Sequence, residues 1–196
     1  MDLMRIVSRR VELNNPADCL FPEGKLIVHT YTPERKERRS RFGVVVLPIQ
    51  GGDYEVSEGM AKYFARKGFC SLRVERRADW LVAARPINKM VDLVKQFPLD
   101  VRHSIDWWLT ESDCPPTRLG LFGVSMGANM GTVVASLEPR VSSSVLVIGG
   151  GPLGDVLLSA NDPEVNKYRE DLANRHGIDE DSLGELFLEP LSRVDH

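Results

Sequence analysis

A serine between two glycines stands where the hydrophobic pattern of the chain changes its period. The pentapeptide GVSMG, centred on Ser125, follows the apolar run Arg118–Gly123 and leads into the small and apolar residues of Met126–Leu137. This order predicts a strand, a sharp turn and a helix, with the serine hydroxyl raised above the end of the strand. Glycines suit such a turn because bulky neighbours would clash beside a strained serine.

A serine in this position has the chemistry of a nucleophile that attacks an acyl carbon. The free N–H groups of the helix that begins at Met126, and the positive end of its dipole, point at negative charge forming beside Ser125. The alternative is an ordinary strand–turn–helix in which Ser125 only caps the helix. The parallel-sheet pattern around the motif favours the nucleophile.

Serine is a weak nucleophile without a histidine to accept its proton, and the chain offers no evident one. His176 ends a polar helical stretch, where a cation is favourable against the helix dipole. Asp195 and His196 are adjacent, but neighbours in an extended chain point to opposite sides, and terminal residues fray. His29 and His103 precede the serine and are interpreted as structural or exposed.

Strand and helix patterns alternate from Gly43 to Ile148, which predicts a mostly parallel, doubly wound α/β sheet with helices on both faces. Two earlier extended segments, Arg5–Leu13 and Lys25–Pro33, predict an N-terminal antiparallel hairpin. Ligands of such sheets bind beyond the carboxyl ends of the strands, where Ser125 lies. The predicted elements are the strands Gly43–Leu47, Phe69–Val74, Arg118–Gly123 and Arg140–Ile148, and the helices Ser57–Lys67, Val91–Thr110 and Met126–Leu137.

Composition favours one soluble globular domain with a sizeable core: 196 residues, 42% hydrophobic and 27% charged. A net charge of −3 provides no field for nucleic acid or an anionic membrane, and neither a secretory signal nor a membrane span is visible. The three cysteines are widely spaced, which predicts reduced thiols rather than a disulfide framework or a zinc site. We therefore expect a cytoplasmic protein with no metal and no cofactor.

Three segments together resemble the α/β-hydrolases, and within them the dienelactone-hydrolase-like and acyl-esterase-like branches. They are GVVVLPIQGGDYEVSEGMAKYFARKGFCSLRVERR, DVRHSIDWWLTESDCPPTRLGLFGVSMGANMG and PRVSSSVLVIGGG, and the similarity covers most of Arg5–Gly151. The resemblance implies a serine hydrolase that cleaves a carboxylic ester or related acyl bond of a small molecule, with Ser125 as its nucleophile.

The resemblance also implies an oxyanion hole made of two backbone N–H groups. One belongs to Met126, and the other to Ile49 or Gln50 in the loop after the third strand. Many members carry His-Gly in this loop where the chain has Pro48-Ile49. Gln50 is favoured because the glycines at 51 and 52 free the loop to turn.

In the resembling proteins the acid and then the histidine follow on two further strands, whereas no strand-like run occurs after Ile148. We therefore expect that the sheet is truncated after its sixth strand and that the triad acid and base lie beyond residue 196. The strand Arg140–Ile148 then becomes an exposed edge prone to self-association. The predicted division is a hydrolase core over 1–151 and a helical, lid-like segment over 152–196 that leads to the missing part.

The substrate cleft is predicted from position alone. Asp79 and Trp80 follow a strand at the active-site end of the sheet, and Ile49 and Gly51 lie in the loop of the oxyanion hole. Two other functions stay open. One is a catalytically inactive α/β-hydrolase-fold binding protein, and the other is an acyltransferase or peptidase that uses the same site, because the fold does not fix the reaction.

Overall fold

The computed structural model describes residues 4–50, 54–179 and 182–192. Six strands form one sheet: β1 Ile6–Leu13, β2 Leu26–Pro33, β3 Phe42–Val46, β4 Cys70–Val74, β5 Arg118–Val124 and β6 Val141–Val147. Their order across the sheet is β1-β2-β4-β3-β5-β6. Strand β2 is antiparallel to both β1 and β4, and the pairs β3–β4, β3–β5 and β5–β6 are parallel. The predicted parallel sheet with an N-terminal antiparallel hairpin is confirmed.

Helices cover both faces of this sheet. They are α1 Glu55–Arg66, α2 Ile87–Glu111, α3 Met126–Leu137, α4 Leu153–Ser159, α5 Pro163–His176 and α6 Leu183–Ser192. Strand β3 is buried on both sides, so its alternate residues enter two different cores. Val44 and Val46 pack with Ala61 of α1, and Val45 packs in the larger core with residues of α2 and α3 such as Trp108. None of the helices in the described ranges has the length and apolar character that crossing a bilayer requires.

Cys70 and Cys114 form a disulfide, contrary to the prediction from the sequence. Cys70 begins β4 and Cys114 lies just before β5, and their Cα atoms are 6.5 Å apart, as in other disulfides. The expectation of reduced thiols is wrong for this pair, while Cys19 is free. The pairing depends on where the long helix α2 returns the chain to the sheet. The spacing of 44 residues between the two cysteines therefore did not predict the disulfide.

Strand β6 lies at the edge of the described sheet and pairs only with β5 there. Several of its apolar side chains are exposed, including Val145 at 56% and Val147 at 39%, and Ile148 just beyond it at 80%. After β6 the described chain is helical, and α4 and α2 both pack against α6. Whether this helical segment acts as a lid stays a prediction.

Candidate active site

Ser125 occupies a sharp turn between β5 and α3, with φ 53° and ψ −123°. This conformation is unfavourable for a residue with a side chain and is held in place by backbone hydrogen bonds. The Ser125 N–H donates to the Val147 carbonyl at 2.9 Å, and the Ser125 carbonyl accepts from the N–H groups of Ala128 at 2.8 Å and Asn129 at 3.1 Å. The serine is exposed at the carboxyl end of β5. Its side chain makes no capping hydrogen bond to α3, so Ser125 is not an ordinary helix cap.

The two glycines of the motif are required by close backbone contacts. A Cβ on Gly123 would overlap the carbonyl of Gly127. A Cβ on Gly127 would lie 2.8 Å from the Pro48 carbonyl oxygen and 3.0 Å from that of Leu47. The steric reason predicted from the sequence is confirmed. Because Gly127 has no side chain, the start of α3 lies directly against the backbone that follows β3.

Ser125 lines a cavity of about 380 Å³ beyond the carboxyl ends of the strands. Met126 and Gln50 line the same cavity, so the structure brings together the predicted nucleophile and the residues of both predicted oxyanion donors. The remaining wall comes from α3, from the loop after β6, and from α4, α5 and the turn between them. Its residues are Asn129, Ile148, Gly149, Gly150, Val156, Leu157, Ala160, Asp162, Glu164 and Val165.

Two residues that line this cavity, Met126 and Gln50, have backbone N–H groups without a backbone acceptor among the described residues. Met126 is the first residue of α3, where an N–H has no acceptor within the helix. Among the described residues, neither the Met126 nor the Gln50 N–H donates a backbone hydrogen bond. The carbonyl of Ile49, in the same peptide group as the Gln50 N–H, accepts a hydrogen bond of 2.5 Å from Nη1 of Arg76.

The loop after β6 contributes residues to the cavity that were not predicted from the sequence. Ile148 has φ 57°, a strained value for a β-branched residue, at the strand end next to Ser125. Asn129 accepts a hydrogen bond of 2.7 Å from the Gly150 N–H through Oδ1 and so ties this loop to α3. The available signal was the spacing of Asn129, a polar residue one helical turn after Ser125 in a helix of small and apolar residues.

Two carboxylates, Asp162 and Glu164, also line the cavity. Asp162 caps α5 by accepting hydrogen bonds from the Glu164 N–H at 2.9 Å and the Val165 N–H at 3.2 Å. The lining includes no lysine, arginine or histidine of the described chain, so the charge around the cavity is negative.

The three described histidines lie away from the cavity. His176 ends α5 and is followed by Gly177 with φ 64°, which confirms the interpretation as a residue at a helix C-terminus.

The two histidines that precede Ser125 in the chain have partners of their own. Nε2 of His29 lies 2.5 Å from Glu75 Oε1, and burial together with Arg73 lowers the pKa of this imidazole. Nε2 of His103 contacts the Asn14 carbonyl at 3.0 Å. Asp195 and His196 lie outside the described residues.

The structure differs from the prediction for part of the substrate cleft. Trp80 is 1% exposed and packs edge-on against Phe97 in the core, with ring centroids 5.4 Å apart. Asp79 is exposed and binds Arg76 at 3.2 Å, and neither residue lines the cavity of Ser125. A tryptophan at a strand end turned inward because the long α2 offers it an apolar surface. Ile49 contributes its carbonyl to Arg76, and Gly51 lies outside the described residues.

The sequence and the structure of the chain were compared with those of known proteins. No protein-family model matches the sequence, and a search of curated proteins finds no significant match. Among solved structures, the chain is similar to the acetyl xylan esterase from Paenibacillus sp. R4, with a TM-score of 0.65 and 15% identity over 98% of this chain and 68% of the esterase.

Two further solved structures, both from metagenomic libraries, are similar to the chain. A dienelactone hydrolase-like promiscuous phosphotriesterase has a TM-score of 0.59 and 17% identity over 89% of this chain and 79% of its own. A cold-adapted esterase from an Arctic intertidal library has a TM-score of 0.57 and 16% identity over 85% and 68%. Together with the strand order, these matches show that the chain has the α/β-hydrolase fold, and the resemblance drawn from the sequence is confirmed.

Proposed function

We propose that Ser125 is the nucleophile of a hydrolase that cleaves a carboxylic ester or a related acyl bond. The observation that carries the proposal is the strained backbone of Ser125 in the wall of a cavity, next to the Met126 N–H, which donates no backbone hydrogen bond among the described residues. Such strain costs about 1–3 kcal/mol and persists where the surrounding structure imposes it, as functional sites often do. A serine that only capped α3 would need neither the strain nor the exposed hydroxyl.

In the proposed reaction the Ser125 Oγ attacks the acyl carbon while a base takes its proton. The electron pair of the carbonyl moves onto its oxygen, which the N–H groups of Met126 and Gln50 stabilise. The base then returns the proton to the leaving alcohol, and water cleaves the acyl-enzyme by the same steps. Neighbouring structures that are named esterases support this reaction class.

The base and its acid partner are not assigned to any of the described residues. None of the described histidines lines the cavity. The 196-residue chain by itself is therefore proposed to turn substrate over weakly, although Ser125 remains able to react with a strong electrophile. The proposed substrate is a small ester without negative charge, because apolar side chains line the cavity and its two carboxylates would repel an anion.

The proposal is tested by labelling with a fluorophosphonate probe, read by intact-protein mass spectrometry. We expect one adduct on the wild-type chain, mapped to Ser125 by peptide sequencing, and no adduct on Ser125→Ala. Ser136→Ala is the matched control, because Ser136 is an exposed serine on the same helix α3 and away from the turn. Equal labelling of wild type and Ser125→Ala, or a folded wild type that is never labelled, would contradict the nucleophile.

A second candidate, a binding protein without turnover, is favoured by the absence of a histidine among the described residues that line the cavity. Added imidazole separates the two functions, because it can replace a missing base. If Ser125 is a nucleophile, imidazole raises hydrolysis of p-nitrophenyl acetate by wild type above that by Ser125→Ala. Identical rates for the two proteins at every imidazole concentration would favour the binding protein. A panel of thioesters and aminoacyl amides then tests acyl transfer and peptidase chemistry.

A further inference from the structure

Arg76 is a buried cation that touches the described residues on both sides of the loop between β3 and α1. It lies just after β4, and its side chain is 2% exposed. Nη1 donates to the Ile49 carbonyl at 2.5 Å, and Nη2 donates to Asp79 at 3.2 Å. The guanidinium therefore connects the loop after β3 to the loop after β4.

The other end of the loop is held by Tyr54. The Arg76 N–H donates to the Tyr54 hydroxyl at 3.2 Å, and the Arg76 guanidinium carbon lies 5.1 Å from the centre of the Tyr54 ring. Tyr54 has φ 64°, and its carbonyl accepts a hydrogen bond of 3.0 Å from Ser57 Oγ. One residue thus contacts Ile49 before the undescribed positions 51–53 and Tyr54 after them.

The contact with Ile49 fixes the direction of the Gln50 N–H. The described chain contains no cis peptide bond, so the carbonyl and the N–H of the Ile49–Gln50 peptide point in opposite directions. With the carbonyl held by Arg76, the N–H is turned away from the guanidinium. A charged donor on the carbonyl also polarises the peptide and strengthens its N–H as a hydrogen-bond donor.

From these contacts we infer that Arg76 is a positioning residue that holds the second oxyanion donor, the Gln50 N–H, in its productive orientation. This inference rests on the proposed function of Ser125. Arg76 is not among the residues that line the cavity, so we infer that it acts on the oxyanion donor through the Ile49–Gln50 peptide. Without it, the peptide is free to rotate and to withdraw the N–H.

The test compares Arg76→Met and Arg76→Lys with wild type. Methionine fills the buried space without a donor, and lysine keeps the charge without the planar two-pronged geometry. Because loss of one oxyanion donor lowers rates by about 100-fold or more, we expect Arg76→Met to be phosphonylated at Ser125 about 100-fold more slowly, with Arg76→Lys between it and wild type. Circular dichroism and thermal melting give the folded fraction to which each rate is referred.

Arg77→Lys is the matched control. Arg77 is the next residue, and its side chain is 5% exposed, close to the 2% of Arg76. It binds Asp100 through Nε at 2.7 Å and Nη2 at 2.8 Å, and it makes no hydrogen bond to the described residues of the loop between β3 and α1. We expect Arg77→Lys to lower the melting temperature and to leave the rate per folded molecule unchanged. A structural role of Arg76 alone would make the two lysine variants behave alike, which would overturn the inference.

Crystal structures of wild type and Arg76→Met provide a readout that needs no reactivity. A rotated Ile49–Gln50 peptide in Arg76→Met supports the inference, and an unchanged peptide overturns it. If wild type reacts at Ser125 and Arg76→Met reacts equally fast with an unchanged peptide, the inference fails and the nucleophile stands. If folded wild type is inert at Ser125, the proposed function fails, and the peptide orientation alone decides the role of Arg76.

Discussion

At the scale of the residue, Gly123 and Gly127 give the turn of Ser125 its shape. We expect Gly123→Ala to lower the free energy of unfolding by about 2–3 kcal/mol, because its Cβ would overlap the Gly127 carbonyl and backbone cannot move aside cheaply. The same substitution should abolish labelling of Ser125, since the turn must open to admit the methyl group. Urea unfolding and fluorophosphonate labelling measure the two effects.

Gly59 provides the matched control for this prediction. It lies on the exposed face of α1, and an added Cβ would meet no atom within 4 Å. Gly59→Ala should therefore raise the free energy of unfolding by about 0.5–1 kcal/mol through helix propensity and leave labelling unchanged. Equal effects of the two alanines on stability would show that the close contact at Gly123 is relieved by local movement.

The residues of the site differ in how far the sequence could predict them. Ser125 and the role of its glycines could be predicted from the sequence, because the strand, the turn and the helix are consecutive in the chain. Gln50 lies about 75 positions away, and its place beside Ser125 was predicted from the resemblance and the sheet order. Arg76 and the inward turn of Trp80 depend on contacts between separate loops and α2, which local patterns do not encode.

At the scale of the element, the turn from α3 to β6 is held by a buried carboxylate. Glu138 is 1% exposed and accepts hydrogen bonds from Arg140 at 2.6 Å and 2.5 Å. The Arg140 side chain lowers the pKa of Glu138 below its ordinary value of 4.5. A lowered pKa stabilises the fold above pH 4.5, and the contribution is lost as the pH falls through the lower value of the folded state.

Glu138→Gln tests this contribution. We expect it to lower the free energy of unfolding by about 2 kcal/mol at pH 7, because charged hydrogen bonds are replaced by weaker neutral ones. The difference from wild type should shrink as the pH drops below 4.5, because the Glu138 carboxyl of the unfolded chain takes up a proton there and that of the folded protein does so only at a lower pH. Glu58→Gln, which breaks only the exposed Lys62 pair, should cost about 0.5 kcal/mol or less. A difference for Glu138→Gln that is the same at pH 3 and pH 7 would contradict the prediction.

Elements were predicted better than their ends. The apolar period placed a helix at Val91–Thr110, and the structure extends it to Ile87–Glu111, with Pro86 preceding it and Pro98 tolerated inside. A local pattern shows which residues face the core, whereas packing decides where a helix starts. The Cys70–Cys114 disulfide joins the start of β4 to the segment just before β5. It could not be predicted from local patterns, because the two cysteines come together only when the sheet has formed.

At the scale of the whole molecule, the two edges of the described sheet are unlike. Strand β1 carries Arg9, Arg10 and Glu12, charges that discourage pairing with another sheet. Strand β6 has the sequence VSSSVLV, with no charge and no proline, and its apolar side chains reach solvent. Natural edges are usually guarded against such pairing, and β6 lacks the charges that guard β1.

We propose that β6 pairs with β6 of a second copy, antiparallel about Ser144, because an uncharged strand meets no repulsion from itself. Val145→Lys places a charge on the 56% exposed position, and we expect it to shift the 196-residue chain from dimer toward monomer in sedimentation velocity across a concentration series. Val7→Lys is the matched control, because Val7 is 39% exposed on the opposite edge strand. Its sedimentation should equal that of wild type. A wild type that stays monomeric at every concentration, or a dimer that Val145→Lys leaves intact, would rule out this pairing.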